Sequence, residues 1–301
     1  MNIPIALRSL IVGFFYCFHA SATHAPEFFK KRSEIKPNHY LITSVGGGHI
    51  AYKDQISSQR GFSGPALGLF ESYERHSEKK LVVWDAFSQF GLQGNGLEGW
   101  NQTFSTAFNF RTNFAWMYYL PLSSKLNYYF GPAIQHYSMY RLNPSHGNAA
   151  LAYDVSTNLG VRGRIECPIP IKTKKTYDFW IFSVKKMETR KLRMGMEVDL
   201  PMFGFQSRPP YTGAFDVVGN DPAAELLENF FANTKLATIN RFFFLNTQTY
   251  LRFPLANGNA LQLSYFWQAY RYNYQGQQVR TAAGATMFSF IFRFDANKDI
   301  R

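Results

Sequence analysis

Between Trp100 and Tyr119 the chain alternates, residue by residue, between two chemistries. Phe104, Phe108, Phe110, Phe114 and Trp116 hold even positions, while Thr103, Ser105, Asn109, Arg111 and Asn113 hold odd ones. Successive side chains of a strand point to opposite faces, so this pattern describes a strand with one aromatic face and one polar, charged face. Strands of globular proteins usually run for about five or six residues, far fewer than here. A long strand with aromatics on one side and Arg and Asn on the other is suited to lipid outside and water inside. The stretch therefore predicts an all-β chain forming a transmembrane antiparallel β-barrel.

Composition supports the same class. The 301 residues include 30 Phe, 18 Tyr and 5 Trp, yet mean hydropathy is slightly negative. Barrel walls combine these properties because every lipid-facing residue is followed by a lumen-facing one. The chain opens with the parts of an export signal: Arg8, a short apolar core over Leu10 to Phe18, then Ala20-Ser21-Ala22 as a small-x-small cleavage site. Residues 1–22 are thus expected to be a signal peptide, with Thr23 starting the mature chain. Cys17 does not suit lipid attachment, since Phe14, Phe15 and Tyr16 stand where small residues are needed. Removal of the signal leaves Cys167 alone and excludes an intramolecular disulfide. No later run of about eighteen apolar residues offers a helical span.

The formal net charge is +12. Part of it lies in Lys30-Lys31-Arg32, within an expected basic periplasmic segment over 23–37, and part at Lys172 to Lys175. Basic residues at tails and turns are expected to meet anionic headgroups of outer-membrane lipid. They follow no recognition-helix or aromatic-platform pattern, which excludes a nucleic-acid partner.

Four places share an apolar–Pro–apolar form: Leu120-Pro121-Leu122, Ile169-Pro170-Ile171, Leu200-Pro201-Met202 and Phe253-Pro254-Leu255. Proline cannot donate to a ladder, so each is expected to end a strand at a short periplasmic turn. Strands are then expected near 38–46, 61–74, 80–91, 100–120, 125–142, 152–168, 176–186, 191–201, 203–217, 238–254, 260–274 and 279–294. That makes a barrel of about 12 strands over 38–294, with 10 as the alternative, followed by a polar tail over 295–301. A helix is expected in the longest external loop, where Asp221 caps Pro222 and an apolar face of Ala223, Leu226, Leu227, Phe230 and Phe231. Gly46-Gly47-Gly48 lacks the Lys-Ser/Thr of a phosphate loop and reads as flexible chain. Gly94 to Gly99 matches G-x-G-x-x-G, but a strand rather than a helix follows it, so no dinucleotide site is expected.

The inward face is expected to gather Arg111, Arg162, Arg164, Arg193, Arg252 and Arg293 with Glu166, Glu197 and Asp199. These form either a network of ion pairs filling a narrow barrel or the lining of a small anion-favouring channel. No metal site and no cofactor are expected. The final strand, with Phe288, Phe290, Phe292 and Phe294 on one face, resembles the assembly signal of outer-membrane proteins, which implies the barrel assembly machinery as a partner during biogenesis.

His136-Tyr137-Ser138 places an imidazole and a hydroxyl two residues apart, on one face of a strand and, by the alternation, on the lipid side. This resembles the His-x-Ser element of two outer-membrane hydrolase families, phospholipase A and the lipid A deacylases. The resemblance implies Ser138 as nucleophile and His136 as base, with Asn143, Asn148 or Asp154 to orient it. The overall pattern also resembles small outer-membrane barrels of the Bacteroidota with no assigned activity, through Asn143-Pro144 and Leu200-Pro201-Met202-Phe203-Gly204 leading to Pro209-Pro210-Tyr211. That likeness implies a fold and a Gram-negative outer-membrane address. The leading expectation is a non-enzymatic surface, structural or limited-transport protein with a narrow or filled lumen. A lipid ester hydrolase and an anion channel are the alternatives.

Overall fold

The computed structural model describes residues 38–55, 60–95, 103–144, 151–178, 183–208, 231–255, 257–274 and 277–295. The expected signal peptide, the basic segment, most of the loop helix and most of the polar tail lie outside the described residues. Among the described residues eleven strands follow in chain order: β1 (Asn38–Asp54), β2 (Gly61–His76), β3 (Lys80–Gly94), β4 (Phe104–Leu120), β5 (Asn127–Leu142), β6 (Leu151–Asp178), β7 (Ser183–Ser207), β8 (Thr234–Thr238), β9 (Phe242–Pro254), β10 (Ala260–Tyr274) and β11 (Gln277–Asp295).

Every ladder is antiparallel. The order β6-β5-β4-β3-β2-β1-β11-β10-β9-β7 is closed by pairing of β6 with β7, giving a barrel of ten strands. The eleventh, β8, lies outside the ring and pairs with Phe203–Ser207 of β7. At that level β9 has already left β7, the β7–β9 ladder running only from Arg193↔Arg252 to Asp199↔Asn246.

The barrel has ten strands, not twelve, because two of the four prolines do not stand at turns. Pro170 lies inside β6 and Pro201 inside β7. The segments 176–186 and 191–201 are parts of one long β6–β7 hairpin, and the first part of 203–217 belongs to β7. A proline is tolerated within a sheet where a ladder is open or bulged. Pro170 lies past the last β5–β6 pair, Asn127↔Glu166. Pro201 adjoins a bulge, since Leu159 pairs with Phe203 but Gly160 with Pro201. Pro121 and Pro254 stand where β4 and β9 end, as their form suggests. The β9–β10 turn closes through Leu255 N donating to Asn259 O at 2.8 Å. Its Gly258 has φ of +88°, a conformation that glycine adopts without strain.

The alternation in β4 is realised. Ser105, Asn109, Arg111 and Asn113 are buried in the lumen while Phe104, Phe108, Phe114 and Trp116 are exposed on the outer wall. At the short-turn end Lys80 Nζ lies 5.3 Å from the Trp116 ring centroid and 5.6 Å from that of Tyr118. A cation held over aromatics at a barrel rim suits the headgroup level of a bilayer.

Gly46 to Gly48, read from sequence as flexible chain, lies within β1. There β1 and β11 approach so closely that a Cβ on Gly46 would stand 2.0 Å from Thr286 O, and one on Gly48 would stand 1.9 Å from Gly284 O. Both neighbours are backbone and cannot turn aside. Gly48→Ala is therefore expected to lower stability by about 1–3 kcal/mol, the usual cost of overpacking. Gly47→Ala should be nearly neutral, because nothing lies within 4 Å of a Cβ there. Urea titration of the heat-modifiable folded band in gels would compare the two.

Candidate functional site: a charge-paired lumen

One layer of the lumen draws its arginines from β4, β6 and β9 and its carboxylates from β2, β3, β6 and β7. Arg162 of β6 is held from two sides. Its Nε and Nη2 donate to Asp199 on β7, the second at 2.9 Å, and its Nη1 donates to Asp85 on β3 at 2.6 Å across the lumen. Arg111 reaches the same Asp85 at 3.3 Å. Arg164 donates to Glu74 on β2 at 2.9 Å and lies 2.7 Å from Glu197. Arg252 lies 3.3 Å from Glu74, and Tyr250 donates to Glu166 at 2.6 Å. All of these groups are less than a tenth exposed. Four guanidinium groups thus meet five carboxylates, Glu74, Asp85, Glu166, Glu197 and Asp199, in one layer. A gap among Glu74, Asp85, Arg164, Glu197 and Arg252 has room for about one water molecule.

A second layer closes the long-loop end. Arg141 of β5 and Arg208, just past β7, both pair with Asp154 of β6 and Asp54 of β1; the Arg208 Nη2 to Asp54 Oδ2 distance is 2.5 Å. Tyr52 donates to Ser105 at 2.5 Å under the Arg141 guanidinium, which lies 5.3 Å from the Tyr52 ring centroid. Between the layers stands an apolar fill, with Tyr137, Phe242, Phe244 and Tyr270 in mutual ring contact. Arg111 joins the charged layer to a second apolar cluster that holds Phe87 and Phe266, its guanidinium lying 5.7 Å from the Phe87 ring and 5.9 Å from that of Phe266.

The structure brings together seven of the nine expected lumen residues: Arg111, Arg162, Arg164, Glu166, Glu197, Asp199 and Arg252. Arg193 is half-buried at the short-turn end, opposite Arg252 in register. Arg293 shares the inward register of β11 but sits at the rim, exposed, donating to Asn38 Oδ1 at 2.9 Å. Sequence reading missed Glu74, Asp85, Asp54, Arg141 and Arg208. Asp85 shares the parity of Leu81, Val83 and Phe87, but Trp84, Phe90 and Leu92 make the opposite face apolar as well, so parity alone does not single it out.

His136 and Ser138 lie on the outer-face parity of β5. The His136 ring is hydrogen-bonded through Nδ1 to Thr157 Oγ1, its cross-strand partner, at 3.0 Å. Ser138 is buried between strands at 3% exposure. Among the described residues no hydrogen bond joins the two. Asp154, a candidate to orient His136, faces the lumen and is engaged by Arg141 and Arg208. Asn143 is buried at the end of β5, and Asn148 lies outside the described residues.

No family model matches the chain, and no curated protein does. Among solved structures it is similar to the outer-membrane protease OmpT of Escherichia coli, at 8% identity and a TM-score of 0.45 over 88% of this chain and 99% of that one. It is also similar to the transport unit of the autotransporter AIDA-I of Escherichia coli, at 5% identity and a TM-score of 0.37 over 93% and 96%. A third is the toluene transporter TodX of P. putida, at 8% identity and a TM-score of 0.32 over 89% and 92%.

Removing one partner of a buried ion pair leaves an uncompensated charge, at a cost of about 3–5 kcal/mol. Arg162→Met is expected to cost that much, because it strips Asp199 and Asp85 of a shared donor. Arg293→Met at the rim should cost less than about 1 kcal/mol. Urea titrations of the refolded variants in one detergent would show the contrast.

Proposed function

We propose that this chain is an integral barrel of a Gram-negative outer membrane whose lumen is closed by its own side chains. Its role is non-enzymatic: a surface or structural protein, or one with limited transport. The observation that carries this reading is the pair of charge-matched layers crossing the lumen, Arg162 with Asp85 and Asp199 in one and Arg141 and Arg208 with Asp54 and Asp154 in the other. An anion-favouring pore needs guanidinium groups that ions can reach. Here the guanidinium groups are buried and answered by carboxylates, so the lining offers little net field to an anion.

Outer-membrane lipid is the solvent of the outer wall in this reading, with Lys80 over Trp116 and Tyr118 at the headgroup level. The aromatic face of β11, where Phe288, Phe292 and Phe294 are exposed, suits recognition by the barrel assembly machinery.

Refolded protein in planar bilayers is expected to give no steady conductance. A stable anion-selective current in the unaltered chain would replace this reading with a channel. Fatty-acid release from phospholipid or lipopolysaccharide is expected to be absent; release that disappears in Ser138→Ala would replace it with a hydrolase.

A further inference from the structure

The β6–β7 hairpin does not end with the barrel wall. The β5–β6 ladder stops at Asn127↔Glu166 and the β7–β9 ladder at Arg193↔Arg252. Pairing between β6 and β7 nonetheless continues without a register shift from Cys167↔Met194 to Asp178↔Ser183. At about 3.3 Å per residue, a ladder of this length projects roughly 35 Å beyond the rim. It projects at the short-turn end, where β1 begins and β11 ends, the side that outer-membrane barrels keep in the periplasm.

The charge of the projecting arms is one-sided. Positions 168–178 and 183–192 hold seven basic residues and two acidic ones, a net +5 out of the chain's +12. Lys175 and Lys186 are direct partners in the ladder, and like charges directly opposite destabilise a pair of strands. A two-stranded hairpin is at best marginally stable in water even without that penalty. Among the described residues neither edge of the projecting part has a strand beside it. The backbone donors and acceptors not used in the β6–β7 ladder therefore face outward along its two edges.

We infer that this hairpin is a docking arm for an acidic, extended segment of a periplasmic protein, which adds as a strand to one of its edges. Main-chain pairing would extend the sheet, and the partner's carboxylates would answer Lys174, Lys175, Lys185 and Lys186. Lipid is a poor occupant by reach. The headgroup layer is only about 5–8 Å deep, so most of the arm passes beyond it. A second copy of this chain is a poor occupant by charge, since two arms of net +5 repel each other and a lysine-rich sequence opposes edge-to-edge self-pairing.

The test uses the full chain in detergent and a fluorescent ten-residue peptide alternating Glu and Thr, with a Lys–Thr peptide as control. Fluorescence anisotropy is expected to show binding of the Glu–Thr peptide only, weakening as salt is raised. The quadruple variant K174Q/K175Q/K185Q/K186Q should weaken it at least about tenfold while retaining the heat-modifiable folded band. Hydrogen exchange read by mass spectrometry should slow in 167–178 or 183–192 when the peptide is bound. The inference is overturned if the peptide does not bind, if the glutamine variant binds equally well, or if exchange slows elsewhere. It is equally overturned if phosphatidylglycerol vesicles or peptidoglycan sacculi bind the arm more tightly than the peptide, or if the chain self-associates through it. None of these results depends on whether the lumen conducts.

Discussion

A strand wall in hydrocarbon has no water to satisfy its backbone, so each amide donor and carbonyl must find a partner within the wall. Closure of β6 on β7 meets that demand, and the rest of the architecture follows from it. The prolines show how strict the demand is. In β5, Pro132 lies where the β4–β5 ladder is interrupted between Tyr118↔Phe130 and Ala115↔Ala133. In β2, Pro65 lies where the β2–β3 ladder passes from Ser63↔Gly94 to Ala66↔Gly91. Pro201 adjoins the bulge of β7. Each stands at a gap or shift in a ladder, where the N–H that proline lacks is not called on to pair.

Closing ten strands also encloses a volume that must be filled. One side of the interior is filled by apolar side chains, with Phe70, Phe87, Phe266 and Met287 in a single cluster. Beside it lie arginines from β4, β6 and β9 with carboxylates from β2, β3, β6 and β7. Arginine suits a boundary between the two, because its planar group stacks on rings while its edge donates to carboxylates. Arg111 does both, against Phe87 and Phe266 on one side and Asp85 on the other. The ion pairs also tie strands distant in sequence. Arg164 to Glu74 spans 90 residues and Arg162 to Asp85 spans 77, so the lumen braces the wall across its diameter.

Much of this was legible where alternation was clean. The faces of β4, β6 and β10 could be read by parity, and seven of the nine inward charged residues followed. Two kinds of feature were not legible. In β3 both faces are apolar, Leu81, Val83 and Phe87 on one and Trp84, Phe90 and Leu92 on the other, so the buried Asp85 gave no contrast. Proline, in turn, marks any break in a ladder: a turn at Pro121 and Pro254, a bulge at Pro201, a free edge at Pro170. Sequence spacing alone does not separate these cases, and the difference between twelve strands and ten lies there.

The bulge in β7 shows how a local irregularity sets a distant contact. Before it, Gly195, Glu197, Asp199 and Pro201 face inward; after it, Gly204, Gln206 and Arg208 do. Met202 and Phe203 lie side by side on the exposed face, so parity changes by one residue. With an unbroken alternation, position 208 would face lipid, where a guanidinium is costly, and the outer layer would lack one of its two cations. With the bulge, Arg208 turns into the lumen and meets Asp54 and Asp154. The bulged strand also bends, and in that stretch its outer edge pairs with β8 rather than β9. A single extra residue beside Pro201 thus governs both the ionic closure of the long-loop end and the course of the wall around it.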